Sequence, residues 1–219
     1  MAYFTGIAPF LLEGAKMTLL LWALTLVLSL PLGFLVSLLV RSRFRPLAWL
    51  TETYIYIMRG TPLMLQLMFV YYGLPFIPVV GVWLRFNRLT AAVFAFALNY
   101  AAYFAEIFRG GFLAVPKGQY EACQVLGLNR TQTLTKVVVP QMIRVALPSI
   151  TNETITLVKD TSLAYVIALA ELMHAAKATV SRDSNPAAYV LAGLIYLAIV
   201  FAVTLVFKKL EARYRLMEK

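Results

Sequence analysis

The sequence predicts an all-α membrane protein, and composition together with three uncharged windows supports that prediction. Of the 219 residues, 61% are hydrophobic and only 14% are charged, against about 45–50% and 25% in soluble domains. The segments Met17–Val40, Gly60–Leu84 and Ser184–Phe207 contain no Asp, Glu, Lys or Arg. Each is longer than the roughly 20 apolar residues that cross a bilayer as a helix. We therefore expect a polytopic membrane protein.

Hydropathy along the chain predicts five spans in one transmembrane domain covering residues 1–219. The expected spans lie at about 17–40, 60–82, 89–109, 145–170 and 186–207. The third and fourth are less uniform, because Glu106, Glu153, Lys159 and Asp160 interrupt their apolar runs. The first run exceeds the roughly 7–15 apolar residues of a signal peptide, so we expect it to remain as a membrane helix.

The basic residues predict the orientation of these spans. Fourteen of the twenty Lys and Arg residues flank the first loop, the third loop and the C-terminal segment: Arg41, Arg43, Arg45, Arg59, Arg109, Lys117, Arg130, Lys136, Arg144, Lys208, Lys209, Arg213, Arg215 and Lys219. Five lie on the opposite side: Lys16, Arg85, Arg88, Lys177 and Arg182. The positive-inside rule then places the N-terminus outside and the C-terminus in the cytoplasm. Orientation in the lipid bilayer therefore accounts for most of the net charge of +10, and no nucleic-acid partner is needed to explain it.

The longest segment outside the predicted spans, residues 110–144, is cytoplasmic and contains a predicted short helix at about 117–128. Pro116 suits its start, and Gly127 suits a left-handed residue after its end. Tyr120, Cys123 and Leu126 are three residues apart and form a narrow apolar stripe. From the pattern alone, the helix either contacts another protein or lies in the membrane interface.

The same segment resembles the cytoplasmic loop of bacterial ABC-type import permeases. That loop reads E-A-A, three residues, Gly, nine residues, then I-x-L-P. This chain has Glu121–Cys123, Gly127 and Val137–Pro140 at the same spacings. In addition, Arg59–Gln66 and Lys159–Leu163 resemble the polar amino acid branch of that superfamily, the histidine/glutamine permease type.

This resemblance implies a half-pore in the bacterial cytoplasmic (inner) membrane that carries a polar L-amino acid by alternating access. The implied partners are a second copy or a paralogue of the permease, two ATP-binding-cassette ATPase subunits and an extracytoplasmic amino-acid-binding protein. No G-x-x-x-x-G-K-[ST] phosphate-binding loop occurs in the sequence, which is the usual signature of a nucleotide site. We therefore expect no enzymatic activity and no cofactor in this chain, with ATP and magnesium bound by the partner ATPase.

The resemblance assigns five residues of the cytoplasmic helix to ATPase coupling: Tyr120, Glu121, Ala122, Cys123 and Gly127. For Glu121 three roles stay open: pairing with a basic residue of the ATPase, capping its own helix, or exposure to solvent. The single cysteine, Cys123, is expected to act as a small packing residue, since free cysteines usually behave as small hydrophobes.

Four polar residues within the spans form the predicted substrate path: Asn99, Tyr103, Glu153 and Asp160. Glu153 and Asp160 are seven residues apart, so they share one helix face, and intramembrane charges are costly enough to be functional candidates. Glu153 is predicted either to bind a substrate ammonium or to form a salt bridge across the dimer, whereas Asp160 has a structural or gating role on the same path. Asn99 and Tyr103 either line a cavity or connect helices by hydrogen bonds.

Two other classes of function stay open at the level of sequence. One is an ion-gradient-driven secondary transporter or channel, although no inverted repeat is visible. The other is an integral membrane enzyme with Glu106, Glu153 or Asp160 as acid and base, although no nucleophile, metal motif or histidine partner supports it. Stimulation of a co-purifying ATPase would separate both classes from an ABC permease.

Overall fold

The computed structural model describes residues 2–78, 81 and 83–215, and it is all-α over those residues, as predicted. The helices are α1 Ala2–Val40, α2 Arg45–Gly60, α3 Leu63–Met68, α4 Arg88–Ala114, α5 Lys117–Val125, α6 Arg130–Gln132, α7 Val139–Asp160, α8 Leu172–Asp183 and α9 Ala187–Arg215. Wider π-helical turns form at Phe69–Gly73 and Thr133–Val138. Tighter 3₁₀ turns form at Leu74–Phe76 and Thr161–Ile167.

Three of the described helices are long and apolar enough to cross a membrane. They comprise Tyr3–Val40 of α1, all of α4, and Ala187–Tyr214 of α9. A fourth span results if Arg130–Ile167 and Leu172–Asp183, which are bent by 53° relative to each other, are taken together. The count of five spans and the orientation therefore stay predictions. The predicted end of the second span at residue 82, and the basic Lys219, lie outside the described residues.

The chain around the predicted second span forms two helices separated by a break. Arg45, Glu52 and Arg59 interrupt the apolar pattern there, which is why the sequence did not predict α2. The break itself lies where Pro62 was expected to cause it, with Thr61 extended at ψ 146°. Side chains satisfy the exposed backbone: the Asn99 amide donates to the Met58 carbonyl at 2.9 Å, and the Gln66 amide donates to the same carbonyl at 3.0 Å.

The predicted fourth span is also not one continuous helix. After Asp160 the backbone tightens into the 3₁₀ turn, and Ala168 is left-handed at φ 56°. The buried Glu171 carboxylate then caps α8, accepting the backbone N–H of Met173 at 2.8 Å and of His174 at 2.7 Å. It also accepts the Tyr196 hydroxyl at 2.9 Å, so this one side chain connects α8 to α9.

The core is built around α4. In its apolar window 67% of the residues are buried, compared with 22% in α1 and 11% in α9, so α4 is the central helix. Close contact of α1 with α4 requires Gly33. A Cβ there would lie 2.7 Å from the Phe104 Cβ and 2.9 Å from the Ala101 carbonyl oxygen.

We expect Gly33→Ala to destabilise the protein by about 1–3 kcal/mol, because a methyl group would force α1 away from the backbone of α4. The measurement is the thermal unfolding midpoint of the purified protein. Gly6→Ala is the matched control, since it lies in the same helix and its Cβ would meet nothing within 4 Å. Equal midpoints for the two variants would contradict this account of the α1–α4 contact.

The predicted orientation places exposed Ser181 of α8 outside and exposed Arg43 in the cytoplasm. In a Cys123→Ala background, Ser181→Cys should react with an impermeant maleimide in intact cells. Arg43→Cys should react only after the cells are permeabilised. The opposite labelling pattern would overturn the predicted topology.

Candidate functional site

A cavity of about 530 Å³ lies where the α2–α3 break, α4 and α7 meet; we call it the central cavity. It contains all four residues of the predicted substrate path. Its lining residues are Arg59, Gly60, Thr61, Pro62, Leu63, Asn99, Tyr100, Tyr103, Glu153, Thr156, Asp160 and Leu163. The break between α2 and α3 thus faces polar residues of both α4 and α7.

The two acidic residues of the cavity differ in how they are held. The Tyr100 hydroxyl donates to the Asp160 carboxylate at 2.7 Å, and Tyr100 is itself buried. Glu153 is half-buried and has no hydrogen bond or ion pair to any other described residue. Asp160 therefore has a structural partner within the chain, whereas the Glu153 carboxylate is available to a ligand or to another subunit.

Asn99 and Tyr103 line the cavity and also connect helices. Asn99 is only 3% exposed, and its amide donates to the Met58 carbonyl and to the Gln66 side-chain oxygen at 3.0 Å. The Arg59 guanidinium lies over the face of the Tyr103 ring, 5.3 Å from the ring centroid. The two alternatives drawn from the sequence, cavity lining and interhelical bonding, therefore hold together for Asn99.

A second cavity of about 640 Å³, the inner cavity, is lined by Val40, Glu52, Ile55, Tyr56, Arg59, Gly60, Glu106 and Arg109. Glu106 accepts two hydrogen bonds from Arg109, at 2.9 and 2.7 Å. The Arg59 Nη1 lies 3.6 Å from the same carboxylate. These charges thus compensate one another inside the protein.

Arg59 lines this site, although the sequence analysis favoured a role in packing or topology for it and left it out of the substrate path. It was placed at the edge of the first loop, but α2 carries it fourteen residues beyond Arg45, a rise of about 21 Å at 1.5 Å per residue. A cation directly before the Gly60–Pro62 break was the available signal, because irregular backbone at membrane depth occurs where it lines a cavity.

Helix α5 begins after Pro116, as predicted, but ends at Val125 rather than near residue 128. Gly127 has the predicted left-handed backbone, with φ 70°. The Gly127 N–H donates to the Gln124 carbonyl at 3.0 Å, and the Leu128 N–H donates to the Cys123 carbonyl at 2.9 Å. These two bonds form the Schellman end of a helix.

The predicted apolar stripe of α5 is divided between two faces. Cys123 is 3% exposed and Tyr120 packs against the core, consistent with Cys123 as a packing residue. Leu126 is 76% exposed, so its place in that stripe was wrong, because it follows the last helical residue. Val125, which the sequence analysis did not single out, is 88% exposed. We call Glu121, Ala122, Val125 and Leu126 the exposed face of α5.

Glu121 makes no hydrogen bond to another described residue, so it does not cap its own helix. The N-cap residue of α5 is Pro116, without a side-chain hydrogen bond. Two of the three roles left open for Glu121 therefore stay open: a partner on another subunit, or exposure to solvent.

Curated relatives align over nearly the whole chain. It is 38% identical over 208 residues to the arginine transport system permease protein ArtQ of Bacillus subtilis, covering 94% of this chain and 93% of the relative. It is 40% identical over 207 residues to the octopine transport system permease protein OccM of Rhizobium radiobacter, covering 92% and 84%.

A solved structure has the same fold. The chain superimposes on a crystal structure described as an amino acid ABC transporter with histidines, with a TM-score of 0.87, 30% identity and 97% of both chains covered. Residues 29–216 match the family model described as binding-protein-dependent transport system inner membrane component. The chain therefore belongs to the family of binding-protein-dependent transport system inner membrane components.

Proposed function

We propose that this chain is the permease subunit of an ABC importer that carries a polar L-amino acid across the bacterial inner membrane. The observation that carries the proposal is the central cavity, where one guanidinium and two carboxylates come together at a broken helix. The names of the relatives support it, since they describe permeases for arginine and octopine.

The charges of the central cavity favour a substrate with both an ammonium and a carboxylate. Glu153 and Asp160 are acidic and Arg59 is basic, so the residues that line the cavity carry a formal charge of −1. A zwitterion with one further positive charge balances that charge. Arginine is therefore the first substrate to test, and Glu153, which has no partner among the described residues, is the side chain that would bind an ammonium group.

The exposed face of α5 is the proposed contact with a cytoplasmic ATPase subunit. Exposed apolar side chains next to an acid, such as Val125 and Leu126 beside Glu121, are typical of a protein interface. Two ATPase subunits would bind ATP and magnesium, and a second permease copy or paralogue would complete the pore. A binding protein would deliver the amino acid from outside.

The fold offers a direct connection between that contact and the cavity. The π-helical turn Thr133–Val138 packs against α5 and continues without interruption into α7. Glu153 and Asp160 lie on α7. Movement of α5 with the ATPase would therefore shift the acidic wall of the cavity, which is the displacement that alternating access requires.

Gly127→Val should reduce the coupling of ATP hydrolysis to uptake, because a β-branched residue is strained at φ 70° and the end of α5 would be displaced. A Cβ at this position meets nothing within 4 Å, so the effect would come from the backbone alone. We expect uptake per ATP hydrolysed to fall several-fold in proteoliposomes. Gly118→Ala, near the start of α5 and also without a neighbour within 4 Å, is the control. Unchanged coupling in Gly127→Val would count against α5 as the contact.

Glu153→Gln should lower amino acid uptake at least about tenfold, or roughly 1.4 kcal/mol, because it removes the charge and keeps the size. The measurement is uptake of labelled arginine by proteoliposomes that contain the assembled complex. Glu13→Gln is the control, since Glu13 is exposed and pairs with Lys16 at 2.5 Å. Normal uptake by Glu153→Gln would assign this residue to structure instead.

A further inference from the structure

The central and inner cavities meet at one point of the chain. Among the described lining residues, only Arg59 and Gly60 border both cavities. Gly60 has no side chain, so any chemical link between the cavities depends on Arg59. Arg59 is also the one cation among the described residues that line the central cavity.

The Arg59 guanidinium is held loosely. It lies over the Tyr103 ring and 3.6 Å from Glu106, and 43% of its side chain is exposed. Its neighbour Glu106 is bound more closely by Arg109, through two hydrogen bonds of 2.7–2.9 Å. If Arg59 moved away, Glu106 would still have Arg109 as its partner.

The position of Arg59 at a helix end adds freedom of movement. α2 ends at Gly60 and the chain turns at the break, so no further helical turn covers the Arg59 side chain. Arg59 also shares the lining of the central cavity with Glu153. Arg59 thus lies between one acid that already has a better partner and another that has none.

Building on the proposed function, we propose that Arg59 binds the carboxylate of the transported amino acid. In doing so its guanidinium leaves the carboxylate of Glu106. A guanidinium presents two parallel N–H donors, which match a carboxylate in geometry and charge. The substrate ammonium then faces Glu153. Since Arg59 borders both cavities, it keeps hold of the carboxylate as the amino acid passes from the central to the inner cavity, and it returns to Glu106 after release.

The test compares L-arginine with agmatine, which is arginine without its carboxylate. Binding of each to the purified complex with its ATPase subunits is measured by calorimetry, in the absence of binding protein. The wild type should prefer arginine at least about tenfold. Arg59→Gln should remove that preference, leaving arginine as weak as agmatine. Arg88→Gln, an exposed arginine of α4, should keep it.

Two further variants test the exchange with Glu106. Glu106→Gln removes the competing carboxylate, so it should strengthen arginine binding several-fold and leave agmatine unchanged. Combined with Arg59→Gln, it should have no such effect. If the Arg59→Gln complex does not assemble, Arg59→Lys is tested instead, because it keeps the positive charge but lacks the two parallel N–H donors. Arg59→Lys should reduce the preference for arginine over agmatine. An unchanged preference would overturn the proposal.

The outcomes separate this inference from the proposed function. If Arg59→Gln keeps the full preference while Glu153→Gln loses both ligands, the role of Arg59 is overturned and the amino acid cavity stands. If the wild-type complex binds neither ligand, a cationic substrate for the cavity is rejected together with the role of Arg59.

Discussion

The functional architecture depends on the way the break between α2 and α3 is satisfied. A bilayer offers no water to free backbone groups, so an interrupted helix at membrane depth must find its partners in protein. Here the Asn99 and Gln66 amides bind the Met58 carbonyl at the end of α2. Those bonds fix the break against α4, and they thereby place Arg59, Thr61 and the acids of α7 around one cavity.

The segment from α6 to α7 connects that cavity to α5. It begins with a capping box at Asn129, whose side chain accepts the Gln132 N–H at 2.9 Å while the Gln132 side chain accepts the Asn129 N–H at 3.0 Å. Its π-helical turn lies against α5, and its far end bears Asp160. One continuous helical segment therefore reaches from its contact with α5 to the polar cavity.

Sequence reasoning succeeded where a single residue type dictates the local backbone or where periodicity is long. Gly127 and Pro62 are of the first kind, and the shared face of Glu153 and Asp160 is of the second. It failed where tertiary contacts decide. Arg59 lines the two cavities because α2, with three charged residues, packs against α4. The start of α8 depends on the donors that surround Glu171, two of them in α8 itself and one, Tyr196, 25 residues further along the chain.

The buried charges support a functional rather than a structural reading of Glu153. Glu171 accepts three hydrogen bonds, Glu106 is held by Arg109, and Asp160 is held by Tyr100. Each of these carboxylates thus has a donor that offsets the cost of removing it from water. Glu153 is held by no donor among the described residues, although a charge inside a membrane costs several kcal/mol. The open side of Glu153 faces the central cavity, so its carboxylate is accessible there to water or to a partner from outside the chain, which is the arrangement that the proposed substrate role needs.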